Sequence, residues 1–228
     1  MIVDEKIKLT DRLFFEKNDV SKLKTFEHLN NTLKFSDGGE LFFENTDFET
    51  LFFTDSRMQN ISYNSIQGFG FRSIEGETIG YSNSDKITLK NIFNASKTVD
   101  SIIKTSSENK SVSFKSKVIK PLYTSKNPLT NLDLSKKIHL LNQINEFARK
   151  SDNRVVQVSI SLVGSFTSIQ ILKKDFENYA DIRPLVRLNI QVVVESNNKK
   201  SSGSSGCGGR SLYDEWIDEK NWKKQVKE

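Results

Sequence analysis

The sequence predicts an α+β fold, with an antiparallel β-meander flanked by helices and followed by a second helix-plus-antiparallel-sheet unit. Three observations predict it. Apolar residues recur every three or four positions in the stretches 20–33, 92–103 and 134–147, short β-rich runs broken by turn residues fill 41–82, and three runs rich in Val, Ile or Phe follow residue 154.

Val20, Leu23, Phe26, Leu29 and Leu33 share the spacing that puts them on one face of a helix beginning near Asp19, and Asp37-Gly38-Gly39 ends it. The runs 41–44, 50–54, 58–63, 66–74 and 78–82 then read as separate strands. Asp55-Ser56 and Glu75-Gly76 lie between runs only a few residues apart, which is hairpin spacing. Gly68 and Gly70 weaken a plain strand and mark either a bulge or a close backbone approach. Ser84 or Thr88 starts the next helix, with Ile92, Phe93, Ala95, Val99 and Ile103 as its buried side.

The Ser- and Lys-rich stretch 105–127 reads as a linker, apart from an apolar patch at 118–123. The division that follows is 1–104, linker 105–127, and 128–228. In the last of these, Leu134, Ile138, Leu141, Ile144 and Phe147 form an amphipathic helix, and strands are expected at 155–158, 166–172 and 185–195. Residues 213–228 carry Trp216 and Trp222 and read as helical. No Gly, Pro or capping pattern follows Val226, so a chain truncated within an element is expected.

A length of 228 residues with 36% apolar content can fill a core. The net charge of +5 points to an anionic partner, but the lysines are interspersed with Asp, Glu, Asn and Ser, with local runs only at 115–120 and 223–227. Without an aromatic-interleaved basic stripe, nucleic-acid binding is not expected. The single cysteine, Cys207, excludes an intramolecular disulfide framework. The first fifteen residues lack the basic tip and apolar core of a secretion signal, and no apolar run approaches membrane-spanning length, so a cytoplasmic protein is expected.

The residue inventory restricts the chemistry. A catalytic zinc takes about three protein ligands, two of them commonly histidines one helical turn apart. Only His28 and His139 are present, on separate predicted helices, without ligands at the required spacing. Gly203-Ser204-Ser205-Gly206 falls near a nucleophile elbow without matching it, and the strand-to-helix setting is missing. The stretch 201–210 is not a phosphate-binding P-loop. It reads as a flexible loop, or as a segment whose glycines let backbone amides converge on an anion or an extended peptide. Upstream, Arg183 and Arg187 stand four residues apart on a strand and so share a face. Their planar forks suit a carboxylate, and equally they suit simple solvation of an edge.

At these segments the chain resembles the TldD/PmbA family, also called modulator of DNA gyrase, and specifically its TldD-type subunit. The run Ala180-Asp181-Ile182-Arg183-Pro184-Leu185-Val186-Arg187-Leu188, then Val193, Val194 and Glu195, and the glycine-rich stretch closing on Gly208-Gly209-Arg210 carry the resemblance. Asp55, Arg57, Gly68, Gly70, Arg72, Gly76, Gly80, Tyr81 and the run Val155-Val156-Gln157-Val158 add to it, so that nearly the whole chain is covered.

The resemblance implies a zinc metallopeptidase in which a TldD-like subunit pairs with a TldE/PmbA-like subunit around a cavity where extended or unfolded peptides are cut. It also implies that zinc is held by a His-Glu-x-x-x-His motif and a later cysteine, neither of which this sequence contains. Cys207 stands where the family usually has glycine. The chain is then expected to be the non-catalytic amino-terminal part, inactive alone. Its partner would be a TldE/PmbA-like subunit or a second copy in a homo-oligomer, and its ligand an extended peptide. Arg183, Arg187, Gly203, Gly206, Gly208, Gly209 and Arg210 are the residues expected to face the substrate or the interface. Two other readings remain: a stand-alone module that grips peptides or a partner without cutting them, and an inactive remnant of a truncated gene.

Overall fold

A computed structural model of the chain describes residues 5–103 and 122–228. In chain order these form α1 (Glu5–Asp11), a π-helical turn (Arg12–Glu16), α2 (Lys22–Thr32), β1 (Gly38–Thr54), β2 (Arg57–Glu75), β3 (Thr78–Ser84), α3 (Leu89–Ile103), α4 (Pro128–Asn131), α5 (Leu134–Ser151), β4 (Val155–Lys173), β5 (Asn178–Ser196), β6 (Lys199–Gly209), α6 (Tyr213–Trp216) and α7 (Glu219–Lys227). The strands make one six-stranded antiparallel sheet in the order β3-β2-β1-β4-β5-β6. An α+β fold is what the sequence predicts.

The strands are fewer and longer than the apolar runs suggest. Residues 41–44 and 50–54 lie in one strand, as do 58–63 with 66–74 and 155–158 with 166–172. Contacts divide the chain into two compact units that interleave in sequence rather than following one another. Unit 1 comprises Met1–Thr46, Ile66–Lys120 and Thr167–Ile182, and unit 2 comprises Asp47–Ser65, Pro121–Phe166 and Arg183–Glu228. Strands β1, β2 and β4 each carry apolar residues for both cores, whereas β5 contributes Val186, Leu188 and Ile190 to the second alone. In β1, Leu41 and Phe43 belong to the first, Leu51 and Phe53 to the second, and the interval 45–49, polar except for Phe48, lies between. That polar interval is what reads as a strand break. The proposed linker lies outside the described residues except for 122–127, as do the basic run 115–120 and the side chain of Ile103.

In unit 1 the core is built on phenylalanine. Phe43 stacks on Phe14 at 5.5 Å between ring centres and meets Phe15 edge-on at 5.3 Å. Helix α2 starts where Ser21 accepts a hydrogen bond from the Lys24 amide (3.3 Å) and buries Phe26 and Leu29, while Leu33 at its end is also buried. Leu23, expected on that face, is instead 61% exposed, because it lies in the first turn and points away from the core. Thr88 caps α3 by accepting from the Asn91 amide (3.2 Å), and Ile92, Ala95 and Val99 are buried. Gly68 and Gly70 mark a close approach. A Cβ on Gly70 would stand 2.7 Å from the Tyr81 hydroxyl, and the β2–β3 ladder runs unbroken from Phe69↔Ser84 to Glu75↔Thr78.

In unit 2, α5 buries Leu140, Leu141, Ile144 and Ala148 against the strands, whereas Leu134 at its first position is largely exposed. Trp222 of α7 meets Phe147 edge-on at 5.5 Å. Two hairpins turn on residues with positive φ, Asp55-Ser56 and Asn197-Asn198, the pattern of type I′ turns whose twist matches the strands. The first was legible from composition. The second leads into β6.

Candidate functional site

The glycine-rich stretch, read from composition as a loop, is the edge strand β6, paired with β5 from Val186↔Gly209 to Ser196↔Lys199. None of its glycines has a positive φ. Its amides therefore alternate in direction as in any strand, and the convergent anion cradle is not formed. Serine and glycine are tolerated here because the register is imposed by the Asn197-Asn198 turn and by the Val- and Ile-rich partner strand.

Alternation sorts the residues of β5 and β6 onto two faces. Val186, Leu188 and Ile190 point into the core with α5 and α7, and Cys207, opposite Leu188, joins them. The Cys207 thiol donates to the Trp216 carbonyl at 3.3 Å, and burial pushes its pKa up, which opposes thiolate chemistry. Gly209 is also on this side, where a Cβ would meet the Trp216 indole at 2.5 Å.

Arg183, Leu185 and Arg187 occupy the opposite face of β5 and are exposed, as four-residue spacing predicts. Gly208 stands directly across from Arg187 and Gly206 across from Asn189. A side chain at either glycine would strike β5: a Cβ on Gly208 would lie 2.8 Å from Arg187 Cα, and one on Gly206 would lie 2.6 Å from the Leu188 carbonyl and 2.8 Å from Asn189 Oδ1. Gly203, by contrast, has open space around it. Arg187 Nε donates to Asn189 Oδ1 (2.7 Å), and Asn189 Nδ2 donates to Ser161 Oγ on β4 (3.2 Å). Arg210 leaves the strand end and packs its guanidinium over the Tyr123 ring, 5.5 Å from its centre. Five of the seven expected residues thus belong to β6 or lie directly opposite it: Arg187, Gly206 and Gly208 are on the open face, whereas Gly203, opposite Val192, and Gly209 are on the side that faces α6 and α7. Arg183 lies further along β5, beyond the end of the β6 ladder, and Arg210 is directed elsewhere.

Sequence reasoning missed Asn189 and Ser161, although Asn189 follows Arg183 and Arg187 in the same alternation. It also missed a buried polar cluster in unit 2. Lys137 is buried, with its ammonium on Glu49 Oε1 and on the Leu129 carbonyl (3.1 Å), 4.9 Å from the centre of the Tyr213 ring. Tyr213 donates to the same Glu49 oxygen at 2.9 Å, and burial pushes its hydroxyl pKa up. Gly164 leaves room for the Tyr213 hydroxyl. The available signal was a lysine three residues after Leu134 and four before Leu141, within the apolar stripe of α5.

Neither histidine fits a metal site. His28 Nε2 is 2.6 Å from Ser96 Oγ, whose own hydroxyl donates to the Phe93 carbonyl (2.8 Å), so the imidazole is the donor in that pair. The His28 ring also packs against Phe93, tilted by 33° with 3.9 Å between ring centres, and burial lowers its pKa. His139 is exposed on α5. Among the described residues, no three His, Cys, Asp or Glu side chains come together as ligands, so no step can be routed through a metal held by them. Among the same residues no helix is long and apolar enough to cross a membrane.

Two family models match the chain: PmbA/TldA metallopeptidase domain 1 over residues 39–110, and PmbA/TldA metallopeptidase central domain over residues 127–228. The Metalloprotease TldD homolog of Buchnera aphidicola (Acyrthosiphon pisum) is 34% identical over 191 residues, covering 84% of this chain and 40% of that protein. The Metalloprotease TldD homolog of Haemophilus influenzae is 35% identical over 176 residues, covering 76% of this chain and 36% of that protein. The chain spans less than half the length of these curated relatives. Two solved structures share the fold. A candidate modulator of DNA gyrase from Bacteroides thetaiotaomicron superposes with a TM-score of 0.71 at 13% identity, covering 90% of this chain and 48% of that one. TldE from Thermococcus kodakarensis gives 0.70 at 14% identity, covering 89% and 46%. On the two family models and the curated relatives together, the chain belongs to the TldD/PmbA family.

Proposed function

We propose that this chain is the non-catalytic part of a TldD-type zinc metallopeptidase subunit, acting with a TldE/PmbA-like partner in the proteolysis of unfolded or extended peptides. Its role in that assembly is to hold the peptide, with the metal and the hydrolytic chemistry supplied by residues outside this sequence. The carrying observation is the position of β6: a serine- and glycine-rich strand at the sheet edge, with Gly206 and Gly208 on the face away from the core. An edge strand offers backbone donors and acceptors to a further strand, and small side chains leave the approach unobstructed. Binding through the backbone is tolerant of sequence, which suits a peptidase of broad specificity. Metal use by the whole enzyme is supported by the relatives' description as metalloproteases.

The test is reconstitution. The chain is mixed with a TldE-type subunit and with a polypeptide carrying the family's His-Glu-x-x-x-His half, and cleavage of an unfolded casein peptide is followed with and without zinc. The reading predicts cleavage that needs all three polypeptides and zinc, and that falls when β6 is closed to strand addition by Ser202→Pro and Ser204→Pro. Full activity without this chain would contradict it. A stand-alone peptide-binding module, the second reading, rests on the same edge strand and predicts peptide binding with no gain from the other two components.

A further inference from the structure

On the open face of β5 the orientation of Arg187 is fixed by its neighbours. Arg187 Nε is bound by Asn189 Oδ1 at 2.7 Å, and Asn189 is bound in turn to Ser161 Oγ at 3.2 Å. A guanidinium restrained at Nε presents its two terminal nitrogens as a planar fork. Gly208 directly opposite and Gly206 opposite Asn189 bring no side chain against that fork from the β6 side. The half-exposed Leu185, two residues away on the same face, adds an apolar neighbour. An oriented fork beside a glycine floor matches a planar carboxylate, which accepts two parallel N–H bonds from arginine. Simple solvation of an edge requires no hydrogen-bonded relay running back to a neighbouring strand.

Resting on the peptide-holding role argued above, we infer that Arg187 is a specificity-determining residue that recognises a carboxylate on the bound peptide, with Asn189 and Ser161 as its positioning residues. Two sources supply that group: an Asp or Glu side chain within an extended peptide, or a free peptide C-terminus.

The experiment uses the full chain and four fluorescein-labelled nonapeptides of alanine and serine. One has a central Glu and an amidated end, one a central Gln and an amidated end, one a central Gln and a free C-terminal carboxylate, and one a central Lys and an amidated end. Affinities are read by fluorescence anisotropy at 50 and 200 mM salt. The inference predicts that one carboxylate-bearing peptide binds roughly tenfold tighter than the amidated Gln peptide, as one bidentate charge-assisted pair provides, and that the Lys peptide binds worst. Whichever carboxylate confers the preference identifies its source. Arg187→Gln abolishes the preference, Arg187→Lys restores only part of it, and Asn189→Ala weakens it while leaving the charge in place. If the Glu, Gln and free-carboxylate peptides bind wild-type chain equally well, the inference fails while peptide holding stands. If no peptide binds, both fail.

Discussion

Tyr213 and Lys137 converge on one oxygen of Glu49, the tyrosine donating at 2.9 Å and the lysine as a buried ion pair. The three residues come from β1, α5 and α6, one from each of the three segments that make up unit 2, so the cluster ties those segments together. A buried charge is tolerated only when its partners remain. Glu49→Ala leaves the Lys137 ammonium without its counter-ion and should destabilise the chain by about 3–5 kcal/mol. Tyr213→Phe removes one hydrogen bond and should cost about 1 kcal/mol. Urea denaturation followed by circular dichroism measures both. A Glu49→Ala cost below that of Tyr213→Phe would show that the cluster is not the anchor described.

The glycines of β6 should separate by position. Gly208→Ala pushes a methyl group into the backbone of β5 and should cost about 1–3 kcal/mol, as overpacked sites do. Gly203→Ala enters open space in an extended strand and should be neutral or stabilising by up to about 1 kcal/mol. Thermal melts of the two variants give the comparison, and equal effects would contradict the register Arg187↔Gly208.

His28 ties stability to pH. Burial lowers its pKa in the folded state below the ordinary value of about 6.5, so the unfolded chain binds the proton more readily. Its contribution is fully present above the unfolded value and is lost as pH falls through 6.5 towards the folded value. Asp152 acts in a separate window: the Arg154 guanidinium and amide hold its pKa at about 2, so its contribution is lost only at more acid pH. The melting temperature should therefore decline between pH 7 and 5 in the wild type and decline less in His28→Phe, which keeps a ring on Phe93 but has no proton to gain. Identical pH profiles would refute the assignment.

The Asn197-Asn198 hairpin should respond to turn chemistry. Both residues have positive φ, at 51° and 60°, and glycine at the second position is the preferred companion of asparagine in a type I′ turn. Asn198→Gly should raise stability by about 0.5–1 kcal/mol, and Asn197→Val should lower it by more than that. Amide hydrogen exchange along β6 provides the local readout: slower exchange in the first variant, faster in the second.

Much of this architecture was readable from residues alone, and the failures have physical causes. Helix periodicity located Phe26, Leu29, Ile92, Val99, Leu141 and Ile144 in their cores because a 3.6-residue repeat survives local noise. It misplaced Leu23 and Leu134, which stand in first turns where one side of the helix has no neighbour. The long strands were cut in two because a strand serving two cores carries a polar interval, such as the run 44–47 (Glu-Asn-Thr-Asp) in β1, that has the composition of a turn. The glycine-rich β6 was the hardest to read, since a strand whose side chains contribute little is held by its hairpin and its partner, and both are non-local. Within the site, the shared face of Arg183 and Arg187 follows from alternation. Ser161 does not, because it reaches Asn189 only through the β4–β5 pairing.

The most direct test of the central claim, that this chain holds peptide and leaves the chemistry to other residues, is a hydrolysis assay on the purified chain alone, with and without added zinc, alongside its metal content. The account predicts measurable binding of extended peptide with no cleavage and no stoichiometric zinc. Zinc bound one to one, together with peptide cleavage by the chain on its own, would contradict it.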